Sequence, residues 1–165
     1  MAAGDISVAL DIVQVALSKS SNFQSEAAAT ENEVLNNHVV LYAEDDEEPE
    51  IIKSKMPFAT VALESMRWPQ RTSGPGLQAT GVIAVRVYHR RNRLKDTQKD
   101  IYLSFTDWLG QVIRDLAEEI GTGTGVTFGQ CMIDMPEAAF RTPPDYRTDD
   151  NDFFTATIYI HYGLP

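Results

Sequence analysis

Apolar residues along the chain follow two rhythms. Near the start, Ile6, Ala9, Leu10, Val13, Ala16 and Leu17 recur at helical spacing. This predicts an amphipathic helix with one narrow apolar stripe, of the kind that lies on a sheet. Asp5 is placed to cap it and to set a negative charge at the positive end of its dipole. The small and polar run Ser18 to Asn22 ends it. A second, stronger helical stripe runs through Phe105, Leu109, Val112, Leu116 and Ile120, widened by Trp108 and Ile113. Ser104 opens a capping pattern with Thr106 and Asp107, and Gly121 is a natural C′ residue. Glu118 and Glu119 oppose the dipole at that end, so packing must hold it.

The other rhythm is alternation. Phe58–Met66 predicts a strand that Pro57 opens and Pro69 terminates. Thr80–Tyr88 alternates, with Ile83, Val85 and Val87 on one side and Ala84, Arg86 and Tyr88 on the other. The turn-rich run Arg71–Gly76 joins these two as a long hairpin. Val126–Ile133 predicts a third strand, and Phe153–Tyr162 a fourth. In the last, Ile158 and Ile160 should face the Trp108 helix, with Thr157 and Tyr159 turned away. The expected fold class is α+β: a mostly antiparallel sheet of about four main strands, with two amphipathic helices packed on one face.

Between the first helix and the first strand the signal weakens. Ala27–Leu35 fits a short helix and His38–Tyr42 a short strand. Glu44–Glu50 then holds acids at every position but Pro49, a block that repels itself and stays solvated. It lacks the alternating acids and central glycine of a calcium loop. Residues 1–165 are therefore read as a single domain, with 23–50 as a poorly defined acidic insertion.

Composition narrows the function. The 165 residues are 43% apolar and 23% charged, enough to bury a core of about two-thirds of the unfolded surface. The net charge of −10 disfavours nonspecific binding to nucleic acid or anionic membrane. The single cysteine, Cys131, rules out an intrachain disulfide and a zinc cluster of several thiolates. No apolar run is long enough to span a membrane, and Met1–Asp5 lacks the basic start of a secretory leader. A soluble, non-exported protein is the expectation.

Chemistry is hard to find. Gly121-Thr122-Gly123-Thr124-Gly125 follows a helix where a phosphate loop would open one, so it reads as a flexible turn. Arg90, Arg91, Arg93, Lys95 and Lys99 lack interleaved aromatics and are diluted by Asp96 and Asp100. They read as a solvated strand end or a protein contact, not a nucleic-acid site. Cys131, in mid-strand, reads as structural. His38, His89 and His161 lie in or beside strands. Asp149, Asp150 and His161 are the residues a small metal-dependent enzyme would use. Arg147 among those acids favours an ion-pair network or a partner contact, and no nucleophile, base and orienter converge by spacing. No catalytic residue, metal or cofactor is expected.

The C-terminal Tyr146-Arg147-Thr148-Asp149-Asp150, a short gap and a final Thr/Tyr/Ile strand resemble the tail terminator proteins of long-tailed, lambda-like bacteriophages. So does the element order: an N-terminal amphipathic helix, a proline-opened strand, a second strand, a helix with an internal Trp108, then two last strands. The resemblance covers roughly residues 5–20 and 56–162. It implies a non-enzymatic virion protein, assembled in the host cytoplasm and sited at the head–tail junction. Six copies would form a ring that caps the head-proximal end of the tail tube, stops polymerisation and presents a surface to the head-side connector. The tube protein and the connector or stopper protein would be its partners, and DNA would pass through without specific binding. Residues 23–49 are longer than compact members need. A head-completion or stopper protein is the nearest alternative. A ring needs two complementary patches on each subunit. The candidate assembly interface pairs Arg86, Arg90, Arg91 and Arg93 with Asp145, Tyr146, Arg147, Asp149, Asp150 and Asp152.

Overall fold

The computed structural model describes residues 6–41, 55–67, 79–90, 98–120, 126–134 and 153–164. Their elements run α1 (Ile6–Ser18), α2 (Ser21–Ala27), α3 (Glu31–Glu33) with a π-helical turn (Val34–His38), β1 (Val39–Leu41), β2 (Phe58–Arg67) and β3 (Ala79–Arg90). Then come α4 (Gln98–Glu119), β4 (Thr127–Asp134) and β5 (Phe153–Leu164). The five strands form one mixed sheet in the order β1-β2-β3-β5-β4. Only β1 is parallel to its neighbour. The class is α+β. The expectation of about four strands and two helices is corrected upward, because the weakly patterned segment after α1 supplies both a short edge strand and additional helix.

The final strand sits inside the sheet, between β3 and β4. Its register places Ile158 beside Val85, which in turn lies beside Val61. Alternation does the rest. Phe154, Ala156, Ile158 and Ile160 are buried, as are Ile83, Val85 and Val87 on β3. Thr155, Thr157, Tyr159 and His161 are only half-buried, and Arg86 is exposed. The expected inward and outward residues of both strands are thus observed.

The helices cover the apolar face. α1 buries Ala9, Val13, Ala16 and Leu17 in a core shared with the sheet and with Leu109, Val112 and Leu116 of α4. Gln14 Nε2 donates to the Val39 carbonyl at 3.0 Å, tying α1 to the edge strand. The segment 23–50 is, as far as Leu41, part of this core: Phe23, Val34 and Val39 are at most 1% exposed. Residues 42–50, with the acidic run, lie outside the described residues.

Four local devices shape that segment. Ser20 caps α2, its hydroxyl accepting from the Phe23 amide at 3.2 Å. Ala28 ends it in the left-handed region (φ 51°), so the triplet Ala27–Ala29 is a helix terminus and not the helix interior its propensity suggests. Thr30 and Glu33 form a capping box that restarts the chain as α3. His38 Nδ1 then lies 2.6 Å from the Lys55 carbonyl and 2.9 Å from the Pro57 carbonyl. Both partners are acceptors, so Nδ1 carries the proton, and the ring clips β1 to the start of β2.

α4 begins at Gln98, and Ser104 is an exposed residue within it, not its cap. Its first turn is polar and so carries no apolar stripe to reveal it. Thr106, read as part of the capping pattern, donates its hydroxyl back to the Leu103 carbonyl at 2.9 Å. Further along, Asp115 gathers the helices. It accepts from Ser20 Oγ at 2.7 Å, from Asn22 Nδ2 at 2.8 Å and from the Asn22 amide at 3.4 Å. Trp108 Nε1 donates to the Asn22 carbonyl at 3.1 Å.

β2 changes phase once. Its register with β3 shifts between Leu63 and Ser65, so that Ser65 pairs with Val82, Met66 with Gly81 and Arg67 with Thr80. This β-bulge turns Ser65 and Arg67 to the face that carries Val82 and His161, away from the helices. Gly81 sits against it. A Cβ there would collide with the Ser65 carbonyl oxygen and lie 2.6 Å from the Tyr162 hydroxyl. Tyr162, opposite Gly81, is 3% exposed, and its hydroxyl has no hydrogen-bond partner among the described residues.

Gly81→Ala is expected to destabilise the protein by about 1–3 kcal/mol, since backbone must shift to admit one methyl. Tyr162→Phe, which deletes an unpaired buried hydroxyl, should be neutral or slightly stabilising. Urea unfolding of both variants checks this. Partial burial pushes the Asp115 carboxyl up, but the hydrogen bonds from Ser20 and Asn22, with Arg114 nearby, bring it below its ordinary value of 3.8. A depressed folded-state value stabilises above the unfolded value and is lost as pH falls through it. Asp115→Asn should therefore cost about 1 kcal/mol at pH 7, and the gap to the native protein should narrow below about pH 4.

Candidate functional site

The proposed basic patch begins on β3. Arg86 is exposed on the open face of the sheet, in register with Thr60 and Thr157. Arg90 is the last residue of the strand and pairs with Phe153, the first of β5. Arg91, Arg93, Asp145, Tyr146, Arg147, Asp149, Asp150 and Asp152 lie outside the described residues. The strands that carry the chain into and out of those segments end side by side. Arg90 and Phe153 are paired, and β4 finishes at Asp134, in register with Thr157.

Beneath this end of the sheet lies an aromatic cluster. Phe105 stacks on Phe154, with ring centroids 4.9 Å apart and planes within 19°. Trp108 lies 6.2 Å from Phe105 and 5.8 Å from Phe23. His89 closes the group, 4.6 Å from Trp108 and 5.7 Å from Phe105. Its Nε2 lies 2.9 Å from Glu26 Oε1, where it donates to the carboxylate. Rings at these separations prefer tilted or offset contact, and each such pair is worth about 0.5–1.5 kcal/mol beyond its buried area. The cluster fixes the adjoining ends of β3 and β5 to α2 and α4. Pattern reading finds Trp108 on the margin of its stripe. It misses His89 and Glu26, whose pairing links positions 63 residues apart.

Charge divides between the two sides of the described fold. On the helices, exposed Asp11, Glu26, Glu31, Glu33, Asp107, Glu118 and Glu119 outnumber Lys19 and Arg114. On the strands, exposed Arg67 and Arg86 outnumber Glu64. The two sides therefore present opposite local signs despite the negative total.

The residues weighed for catalysis are not brought together among the described residues. His161 projects from the open face of β5, whereas Cys131 pairs with Ile160 and packs half-buried against the core. No group of three or more His, Cys, Asp or Glu side chains arranged to hold a metal occurs among the described residues. No helix there is long and apolar enough to cross a membrane. No protein-family model matches the chain, and no curated protein matches it.

Burial pushes the Cys131 thiol up from its ordinary value of 9.0. Since the thiolate is the nucleophile, Cys131 in the folded protein should react with a thiol-specific disulfide reagent more slowly at pH 7.5 than in the urea-unfolded chain. A time course of absorbance under both conditions measures it, and equal rates would contradict the burial argument.

Proposed function

We propose that this chain is a structural virion protein that forms a ring on the head-proximal end of a long phage tail, ends tube polymerisation and presents the head-joining surface. The observation that carries the reading is the element order. An amphipathic helix, a proline-opened strand, its hairpin partner, a Trp-bearing helix and two last strands follow one another as in the tail terminators that the sequence resembles. The folded elements support it. A ring with head-to-tail contacts requires two unlike surfaces on one subunit. An acid-rich helical side and a sheet side bearing Arg67 and Arg86 are unlike in that way. The aromatic cluster under Arg90 and Phe153 gives the adjoining interface segments a firm base.

In this reading Arg86, Arg90, Arg91 and Arg93 of one copy meet Asp145, Tyr146, Arg147, Asp149, Asp150 and Asp152 of the next. The partners are further copies of the chain, the tube protein and a head-side connector or stopper. The net charge of −10 suits a ring through which DNA slides without adhering.

Reversing the charges of Asp149 and Asp150 to Lys should convert rings to monomers in light scattering, or yield overlong tails in a complemented deletion phage. Normal rings together with normal tails overturn the assignment. Micrographs of the deletion phage also separate the two sides of the joint. Long or unjoined tails mark a terminator, whereas leaking heads mark a stopper.

A further inference from the structure

The phase change in β2 has a chemical result on the open face of the sheet. Ser65, Val82 and His161 stand in one row across three strands, because Ser65 pairs with Val82 and Val82 with His161. Two residues further along, Arg67, Thr80 and Gly163 form the next row on the same face. Gly163 adds no side chain, and a hollow of about 480 Å³ opens there, lined by Ser65, Arg67, Thr80, Gly81, Val82, His161 and Tyr162. The volume lies at the lower end of ordinary ligand sites.

The lining is chemically one-sided. Its polar side chains are the Arg67 guanidinium, the His161 imidazole and the hydroxyl-bearing Ser65, Thr80 and Tyr162, with Val82 as an apolar floor. No carboxylate lines it among the described residues; Glu64, next in sequence to Ser65, is outside the lining. No side-chain hydrogen bond or ion pair engages Ser65, Arg67, Thr80 or His161 among the described residues. A guanidinium fork with hydroxyl donors in the same hollow is a donor set suited to an oxyanion. In a chain of net charge −10, this is a local cationic depression.

We infer that this hollow is a docking site for the carboxylates of an acidic peptide segment on a partner protein. The size and the single guanidinium suit one or two carboxylate groups. A duplex is disfavoured, because nucleic-acid affinity draws on many phosphate contacts at once, and the acids elsewhere on this chain would repel it. The inference shares Arg67 with the sheet side named in the assembly reading but does not rest on that reading's interface residues, since the strand ends at Arg90 and Phe153 lie at the other end of β3 and β5.

A synthetic peptide Glu-Asp-Asp-Glu-Glu-Pro-Glu, the composition found at 44–50, serves as the probe. Titrated into the ¹⁵N-labelled full chain at low salt, it should shift the amide resonances of Ser65, Thr80 and His161. Arg67→Glu should weaken the peptide about tenfold or more, a loss of about 1.4 kcal/mol or more in binding free energy. Arg67→Lys should lose less, and Lys19→Glu, on the helical side, should lose little. Circular dichroism confirms that each variant is folded. Three results overturn the inference. One is equal peptide binding by the native and Arg67→Glu proteins. Another is displacement by acetate at the same carboxylate concentration, which marks a site for free anions. The third is tighter binding of a short DNA duplex at the same residues.

Discussion

The fold depends on pairing β5 with β3 along their full lengths. Every residue from Ala79 to Arg90 finds a partner on β5, and β4 attaches to the other side of the same strand. Without β5 the sheet is a hairpin with a short parallel edge, and β4 has nothing to bind. Isolated hairpins are at best marginally stable in water. The apolar row Ile83, Val85, Ile158 and Ile160 is also what α1 and α4 cover, so helix packing and strand pairing form together. Such pairing spans long sequence separations, which places this fold among those that close through costly loops rather than local contacts.

The helices are held to this sheet by apolar contact and to one another by a small polar latch. Asp115 reaches across more than ninety residues to Ser20 and Asn22, at the break between α1 and α2. The Trp108 indole takes the carbonyl at the same place. A helix start leaves orphan amides, and the carboxylate answers that of Asn22, while the indole adds a further donor to the Asn22 carbonyl. The latch and the aromatic cluster share Trp108. The α1–α2 corner and the ends of β3 and β5 therefore rest on one side chain.

The sequence made legible whatever repeats with a regular period. The α1 stripe, the alternation of Ile83, Val85 and Val87, and the inward Ile158 and Ile160 all appear where periodicity puts them. What escaped was non-periodic. α2 is a single apolar anchor, Phe23, between two caps. β1, by contrast, lies at Val39–Leu41 within the short strand read at His38–Tyr42, although three residues are too few to show a period. The left-handed turn at Ala28 contradicts the helix propensity of alanine and is held by its surroundings. The first turn of α4 is polar, which moved the apparent start to Ser104. Of the candidate interface, Arg86 was read from alternation as outward-facing and is so. Of the remaining assembly residues, Arg90 ends β3 and the others lie outside the described residues. The hollow beside Arg67 was beyond pattern reading, because a strict alternation of β2 would have pointed Ser65 and Arg67 toward the helices.

The extra residue at the bulge makes β2 a strand with two addresses. Before it, odd-numbered positions belong to the interior, as Ala59 and Val61 show; after it, odd-numbered positions belong to the surface. A one-residue deletion at Glu64 would therefore restore unbroken alternation and leave Arg67 outward, whereas a strand straightened with Glu64 in place would act like a frame error in three dimensions, turning a guanidinium inward while leaving every neighbouring side chain chemically intact. It also means that the two halves of β2 can vary under separate constraints. The first half answers to the packing of α1, and the second, apart from Met66 opposite Gly81, to what meets the open face.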